Sequence, residues 1–275
     1  MSHLQDRVVM VTGAGSGFGR LLVQGCVARG AKAVAVDLDP AAAEETVAGL
    51  ADGSALAVGA DVTVLADVRE AAAAAVDAFG RIDVLVNNAG TMPLAFWADH
   101  DQAAEAWSRC IDVNIKGVMH GISAVYDHMI EQGRGHVVNI SSIYGNHAVP
   151  GSAVYTASKA AVNLLSDTLR QEAHGRIKVT VVRPTGVFGT GLGGTVVNRR
   201  AMAGIVGTNY EAYRDAAQGW LKGELPAPML DADEMAYWSI SPQDLVDQIL
   251  YTIDQPWGIT IGDITVRASG EHYIL

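Results

Sequence analysis

Two residues four apart, Tyr155 and Lys159, carry the clearest chemistry in this sequence. On a helix that spacing projects both from one face, one turn apart. An ammonium beside a phenol favours the phenolate and draws a group of ordinary pKa about 10 towards neutrality. A tyrosine tuned in this way exchanges a proton with an alcohol or carbonyl oxygen. Upstream, an apolar run over 136–140 leads into Ser141 and Ser142, then into a loop with Gly145, Pro150 and Gly151, then into the helical pattern that holds Tyr155. A serine hydroxyl from that strand end is placed to hold the same oxygen. Taken alone, Y-x-x-x-K is equally a surface tyrosine–lysine pair, so the surrounding elements must decide.

Those elements alternate. Apolar runs of strand length lie at 7–12, 32–36, 54–59, 82–86, 136–140 and 178–183. Helical patterns follow the first five, ending near 29, then over about 40–50, 66–79, 101–132 and 153–174. Strands apolar throughout, separated by helices, predict an α/β fold: a doubly wound parallel sheet of about seven strands, covered on both faces. A helix over 242–253 and a strand over 259–266 complete it. With 275 residues, 49% of them hydrophobic, and no linker or repeat, the chain reads as one domain over 1–275. Regularity breaks at 185–241, where Gly186, Gly189, Gly191 and Gly193 precede two short helices, expected near 196–205 and 210–221. A long irregular insertion in a compact domain reads as a substrate-binding lid. The tail 271–275 ends apolar and is expected to dock on a neighbour or on the domain itself.

A net charge of −11 without a basic run argues against nucleic acid as a partner. No window of about 18 apolar residues is present, and the N-terminal residues are polar, so neither a membrane span nor a signal peptide is expected. Cys26 and Cys110 sit in apolar helical patterns and read as reduced core residues in a cytoplasmic protein. The eight histidines show no ligand spacing, and no metal is expected.

Gly13, Gly15, Gly17 and Gly19 lie directly after the first strand, where the next helix opens. Glycines let backbone N–H groups approach a pyrophosphate, and the helix N-terminus favours its charge. The spacing is G-x-x-x-G-x-G, with Ser16 and Phe18 in the gaps. Asp37 closes the second strand, twenty positions after Gly17. A carboxylate there accepts from both ribose hydroxyls and repels a 2′-phosphate. No Arg or Lys lies between Gly13 and Gly19, and Leu38 follows Asp37, so NAD is the expected cofactor. The competing role for Asp37 is a cap on the next helix.

Read together, Thr12-Gly13, Gly17, Gly19, Asp61-Val62, Asn87-Asn88-Ala89-Gly90, Asn114, Ser142, Tyr155, Lys159 and Pro184 resemble the short-chain dehydrogenases/reductases, in the compact subfamily of about 250 residues. The match runs over 7–266. The resemblance implies hydride transfer between nicotinamide and a substrate carbon, with the protein supplying position and electrostatics. It implies that Tyr155 is the acid/base, that Lys159 lowers its pKa and binds ribose, that Ser142 orients the substrate oxygen, and that Asn114 holds a water in a proton relay. It implies that Asp61 and Val62 meet the adenine and that Asn88, Ala89 and Gly90 line the adenosine side. Backbone at Pro184, Gly186 and Val187 would neighbour the nicotinamide, and a homotetramer would be the assembly.

One place departs from the family pattern: after Pro184 the glycine and a candidate threonine each come one residue late, leaving Thr185 and Thr190 unassigned. Tyr144 and His147, between Ser142 and Tyr155, are substrate-contact candidates. Met92, Leu94, Phe96 and Trp97 are expected to form an apolar wall or ordinary packing. Tyr210, Tyr213, Trp220, Met229, Met235, Tyr237 and Trp238 make the insertion aromatic. They suit either an apolar or ring-shaped substrate or packing against the body or another subunit. The leading function is an NAD-dependent oxidoreductase on a hydrophobic secondary alcohol or ketone. The alternatives are a non-catalytic dinucleotide sensor or scaffold and a sugar-nucleotide epimerase or dehydratase.

Overall fold

The computed structural model describes residues 2–275. Seven strands form one parallel sheet in the order β3-β2-β1-β4-β5-β6-β7. They are β1 (Val8–Thr12), β2 (Lys32–Asp37), β3 (Ala55–Gly59), β4 (Val84–Asn87), β5 (Gly135–Ile140), β6 (Ile177–Pro184) and β7 (Asp263–Val266). β1, β4 and β5 are buried along their whole length, which is why they read as unbroken apolar runs. Alternate residues serve opposite faces: Val9 and Val11 pack with Leu22, Cys26 and Leu250, whereas Val8 and Met10 pack with Val68, Ala71 and Met129. The order reverses between β1 and β4, and an α/β sheet of this kind opens its binding crevice at that switch point.

Helices α1 (Gly17–Ala28), α2 (Pro40–Val47) and α9 (Pro242–Ile253) cover one face, and α3 (Leu65–Phe79), α5 (Gly117–Glu131) and α6 (Ala153–Glu172) cover the other. α4 (His100–Ile111) packs on α6. α4 and α5 form one continuous run, as the periodicity over 101–132 predicts. Its middle, Asp112–Lys116, is π-helical. No described helix is long and apolar enough to cross a membrane.

The insertion leaves and returns at one place. Val187 bridges Ile240 in parallel, and the Ser239 hydroxyl donates to Gly186 O at 3.0 Å. Between them lie α7 (Ala203–Val206) and α8 (Tyr210–Lys222). The helix expected over 196–205 is instead a run of 3-10 turns ending in the four-residue α7. Tertiary approach explains this: a methyl on Gly204 would collide with Pro150 O, and one on Gly151 would come 2.9 Å from Ala201 Cα. Two further differences concern strand ends. β7 begins at Asp263, not 259, and Pro184 is the last residue of β6 rather than the residue beyond it.

Candidate active site

Four side chains meet at the C-terminal end of β5. Ser142 follows the strand in extended conformation and caps the next turn, its Oγ accepting Tyr144 N–H at 3.3 Å. Tyr155 and Lys159 stand one turn apart on α6, both buried. Lys159 Nζ lies 5.8 Å from the Tyr155 ring centroid and donates to Ile140 O at 2.8 Å. Asn114 comes from the π-helical turn, where one extra residue re-aims a side chain. Its Oδ1 accepts Thr91 N–H at 2.9 Å, and its Nδ2 donates to Thr91 O at 2.9 Å and to Ser158 Oγ at 3.0 Å. Gly90 marks where two of these groups converge: a methyl there would sit 3.4 Å from Asn114 Oδ1 and 3.7 Å from Lys159 Nζ.

The electrostatics correct one expectation. Burial pushes the Tyr155 phenol above its ordinary value, and the Ser142 hydroxyl pulls the other way. Burial also pushes Lys159 down to about 8. Desolvation thus dominates at Tyr155, and the net shift runs away from neutrality rather than towards it. Ser142 is the neighbour that favours the phenolate.

The glycine loop fits a dinucleotide. Gly13 and Gly17 have φ of 64° and 51°, the left-handed region that glycine tolerates. A methyl on Gly13 would reach 2.8 Å from Ala89 Cα, so the loop lies hard against the end of β4. Asn88 fixes it there, donating from Nδ2 to Thr12 O and Gly13 O at 3.0 Å each, while Thr12 Oγ1 accepts Asn88 and Ala89 N–H. Asn88 is thus spent on the loop. A methyl on Gly17 would meet only Thr190, at 3.9 Å, which brings the insertion over the opening of α1. Ser16 is exposed and Phe18 half-buried at this opening.

Asp37 is not the helix cap. Asp39 caps α2, accepting Ala41 N–H at 3.0 Å. Asp37 instead accepts Gly15 N–H at 2.7 Å and Asp39 N–H at 3.0 Å, at the edge of the crevice. Gly15 has a reason for being glycine: a methyl would lie 2.8 Å from the Asp37 carboxylate. Arg20, just beyond Gly19, donates to Gly15 O and pairs with Glu45 at 3.1 Å. Asp61 accepts Thr63 N–H at 2.9 Å, and Val62 O lies 2.9 Å from His120 Nδ1.

Pro184 is buried, and Gly186 and Val187 begin the insertion. Thr185 is tied to β7, its hydroxyl donating to Val266 O at 3.3 Å. Tyr144 is buried edge-to-ring against Tyr155, with centroids 5.4 Å apart. His147 is exposed on the loop. The insertion's aromatics divide: Phe188, Tyr213, Trp220 and Trp238 stack on one another, Tyr237 donates to Asp244, and Met235 is exposed. Met92, Leu94 and Phe96 join the apolar cluster around Tyr155, whereas Trp97 is exposed. The tail docks on the chain's own insertion, with Tyr273 and Leu275 in that cluster. Sequence spacing gave no sign that Tyr273 would reach the site. Among the described residues no group of three His, Cys, Asp or Glu side chains could hold a metal.

Comparison with known proteins agrees with this geometry. Residues 7–201 match the family model described as short chain dehydrogenase. An uncharacterised oxidoreductase of Staphylococcus saprophyticus is 33% identical, over 98% of this chain and 99% of its own length. Among solved structures, the 3-ketoacyl-(acyl-carrier-protein) reductase of Brucella melitensis complexed with NADH superposes with a TM-score of 0.76, at 29% identity, covering 97% of this chain and 99% of that one. A serine dehydrogenase complexed with NADP+ superposes with a TM-score of 0.76, at 27% identity over 94% of each chain. The chain is an oxidoreductase of the short-chain dehydrogenase/reductase superfamily.

Proposed function

We propose that this protein transfers a hydride between NAD(H) and a hydrophobic secondary alcohol or its ketone. The observation that carries the reading is that Asn114 and Lys159 meet beside Gly90, with Tyr155 one turn from Lys159 and Ser142 at the end of the adjoining strand. NAD, when bound, accepts or donates the hydride. Gly13, Ser16, Gly17, Phe18 and Gly19 would hold its pyrophosphate, Asp61 and Val62 its adenine, Ala89 and Gly90 its adenosine side, and Pro184, Gly186 and Val187 the nicotinamide. Asp37 would accept from the ribose hydroxyls. Arg20, which donates to Gly15 O beside Asp37, is already paired with Glu45, so a 2′-phosphate would meet the Asp37 carboxylate and an engaged cation.

Tyr155 exchanges the proton of the substrate oxygen, and Ser142 holds that oxygen and stabilises the developing charge. Lys159 binds ribose, and with Asn114 it faces a shared point at Gly90, where a water would pass the proton onward. Residues 185–241 act as the lid, bringing Thr190 over the glycine loop and a stacked aromatic layer over the substrate. The working assembly is a homotetramer. Tyr155→Phe tests the reading: absorbance at 340 nm on a panel of secondary alcohols should fall at least a hundredfold, with NADH binding retained. Wild-type kcat/KM should be higher with NAD than with NADP. Near-normal turnover by the variant would remove Tyr155 from the chemistry.

A further inference from the structure

Three tyrosines outside the catalytic group share the apolar cluster of Tyr155, each from a different segment. Tyr144 follows Ser142, Tyr213 lies on α8, and Tyr273 arrives in the tail. The Tyr144 hydroxyl is buried without a hydrogen-bond partner, although its ring is fixed against Tyr155. Tyr213 and Tyr273 face each other with ring centroids 6.0 Å apart. Tyr144, Tyr155, Tyr213 and Tyr273 all belong to one apolar cluster.

Tyr273 is held there deliberately by the fold. Ile274 N–H donates to Ile205 O at 3.0 Å, Asn209 Nδ2 donates to His272 O at 3.1 Å, and Trp238 Nε1 donates to His272 Nδ1 at 3.0 Å. Its hydroxyl rests against Gly186, where any side chain would displace it.

The surroundings set the charge of what binds. Leu94, Ile143, Val149, Ile205 and Val206 make the walls apolar. Among the described residues, no Arg or Lys biases the ionisation of these three phenols, and the one acidic neighbour, Glu271, lies by Tyr273. Burial keeps all three protonated, so each is a neutral donor and acceptor. A carboxylate or phosphate buried there would lack a counter-charge, whereas a hydroxyl or carbonyl oxygen would find partners. A buried hydroxyl built to be bonded also discriminates against a ligand that leaves it unpaired.

We propose that Tyr144, Tyr213 and Tyr273 form a second oxygen-binding subsite beside Tyr155, and that the substrate is an uncharged diol or hydroxy-ketone on an apolar skeleton. This deepens the function proposed above and rests on it. The second oxygen lies on the carbon next to the reacting one, or one further.

The experiment compares kcat/KM with NAD for cyclohexanol, the cyclohexane-1,2- and 1,3-diols, and 3-hydroxycyclohexanecarboxylate. The wild type should prefer one of the diols to cyclohexanol by about tenfold or more, and should take the carboxylate worst. Tyr144→Phe, Tyr213→Phe and Tyr273→Phe should each lower the diol-to-cyclohexanol ratio by about three- to tenfold, the yield of one neutral hydrogen bond. Circular dichroism and NADH binding check that each variant is folded. Turnover with no diol preference, a ratio unmoved in all three variants, or the carboxylate as best substrate would overturn the subsite alone. No turnover of any compound, with NADH bound, would overturn the proposed function and the subsite with it.

Discussion

Lys159 illustrates what burial does to a single residue. Its folded-state pKa is about 8, below the ordinary 10.5, because α6 holds it inside the protein with a backbone carbonyl as hydrogen-bond partner. Unfolding therefore takes up a proton between about pH 8 and 10.5, and stability rises with pH through that window. Removing the group removes the effect. Between pH 7.5 and 10 the wild type should gain about 2 kcal/mol on Lys159→Met, measured by urea unfolding at each pH. A gap that stays flat across that range would show that the ammonium is not desolvated. Proximity of Tyr155 and Lys159 was legible in the sequence, since a four-residue spacing on a helix guarantees it. The net direction of the Tyr155 shift was not, because spacing says nothing about how deeply the phenol is enclosed. Tyr273 was equally hidden: its place in the site depends on hydrogen bonds to Ile205, Asn209 and Trp238 that no local pattern encodes.

Among the elements, α9 anchors the return of the insertion. Ser241 Oγ accepts Asp244 N–H at 3.1 Å, and Asp244 accepts Ser241 N–H at 2.7 Å, a reciprocal capping box. Tyr237 from the insertion donates to the same carboxylate at 2.5 Å. α9 then packs on α1, where Gly25 leaves room for Leu250. Ser241→Ala should cost about 1 kcal/mol of stability with NADH affinity unchanged, read by urea midpoint and fluorescence titration. A loss of several kcal/mol would mean that the cap also holds the insertion closed. The strands were readable because burial on both faces makes each an unbroken apolar run. The helix over 101–132 was readable too, but its π-helical turn was not: one inserted residue leaves the apolar stripe intact while it turns Asn114 inward. The expected helix over 196–205 failed for the opposite reason. Its residues have helical character, but close approach to Pro150 and Gly151 imposes tighter turns.

For the whole molecule, charge and apolar surface oppose each other. Each chain carries a net charge of −11, so gathering four chains brings like charges together. Against this stand apolar side chains left exposed on the long helices: Ile111 on α4, Met119 on α5 and Leu164 on α6, the last 68% exposed. Covering them would stabilise assembly by roughly 25 cal/mol per Å² of apolar surface. Salt screens the repulsion beyond about 10 Å at 0.1 M and leaves the apolar contribution in place. A homotetramer held this way should tighten, not loosen, as sodium chloride rises from 20 to 300 mM. Light scattering on a sizing column should give a mass near four times the 28.8 kDa chain, with smaller species appearing first at low salt. Leu164→Glu adds charge where apolar contact is needed, so it should shift the distribution towards dimer or monomer and make that shift steeper at low salt. A monomer at micromolar concentration in 300 mM salt would refute the tetramer. A tetramer that dissociates as salt rises would instead place ion pairs, not these apolar side chains, at its interfaces.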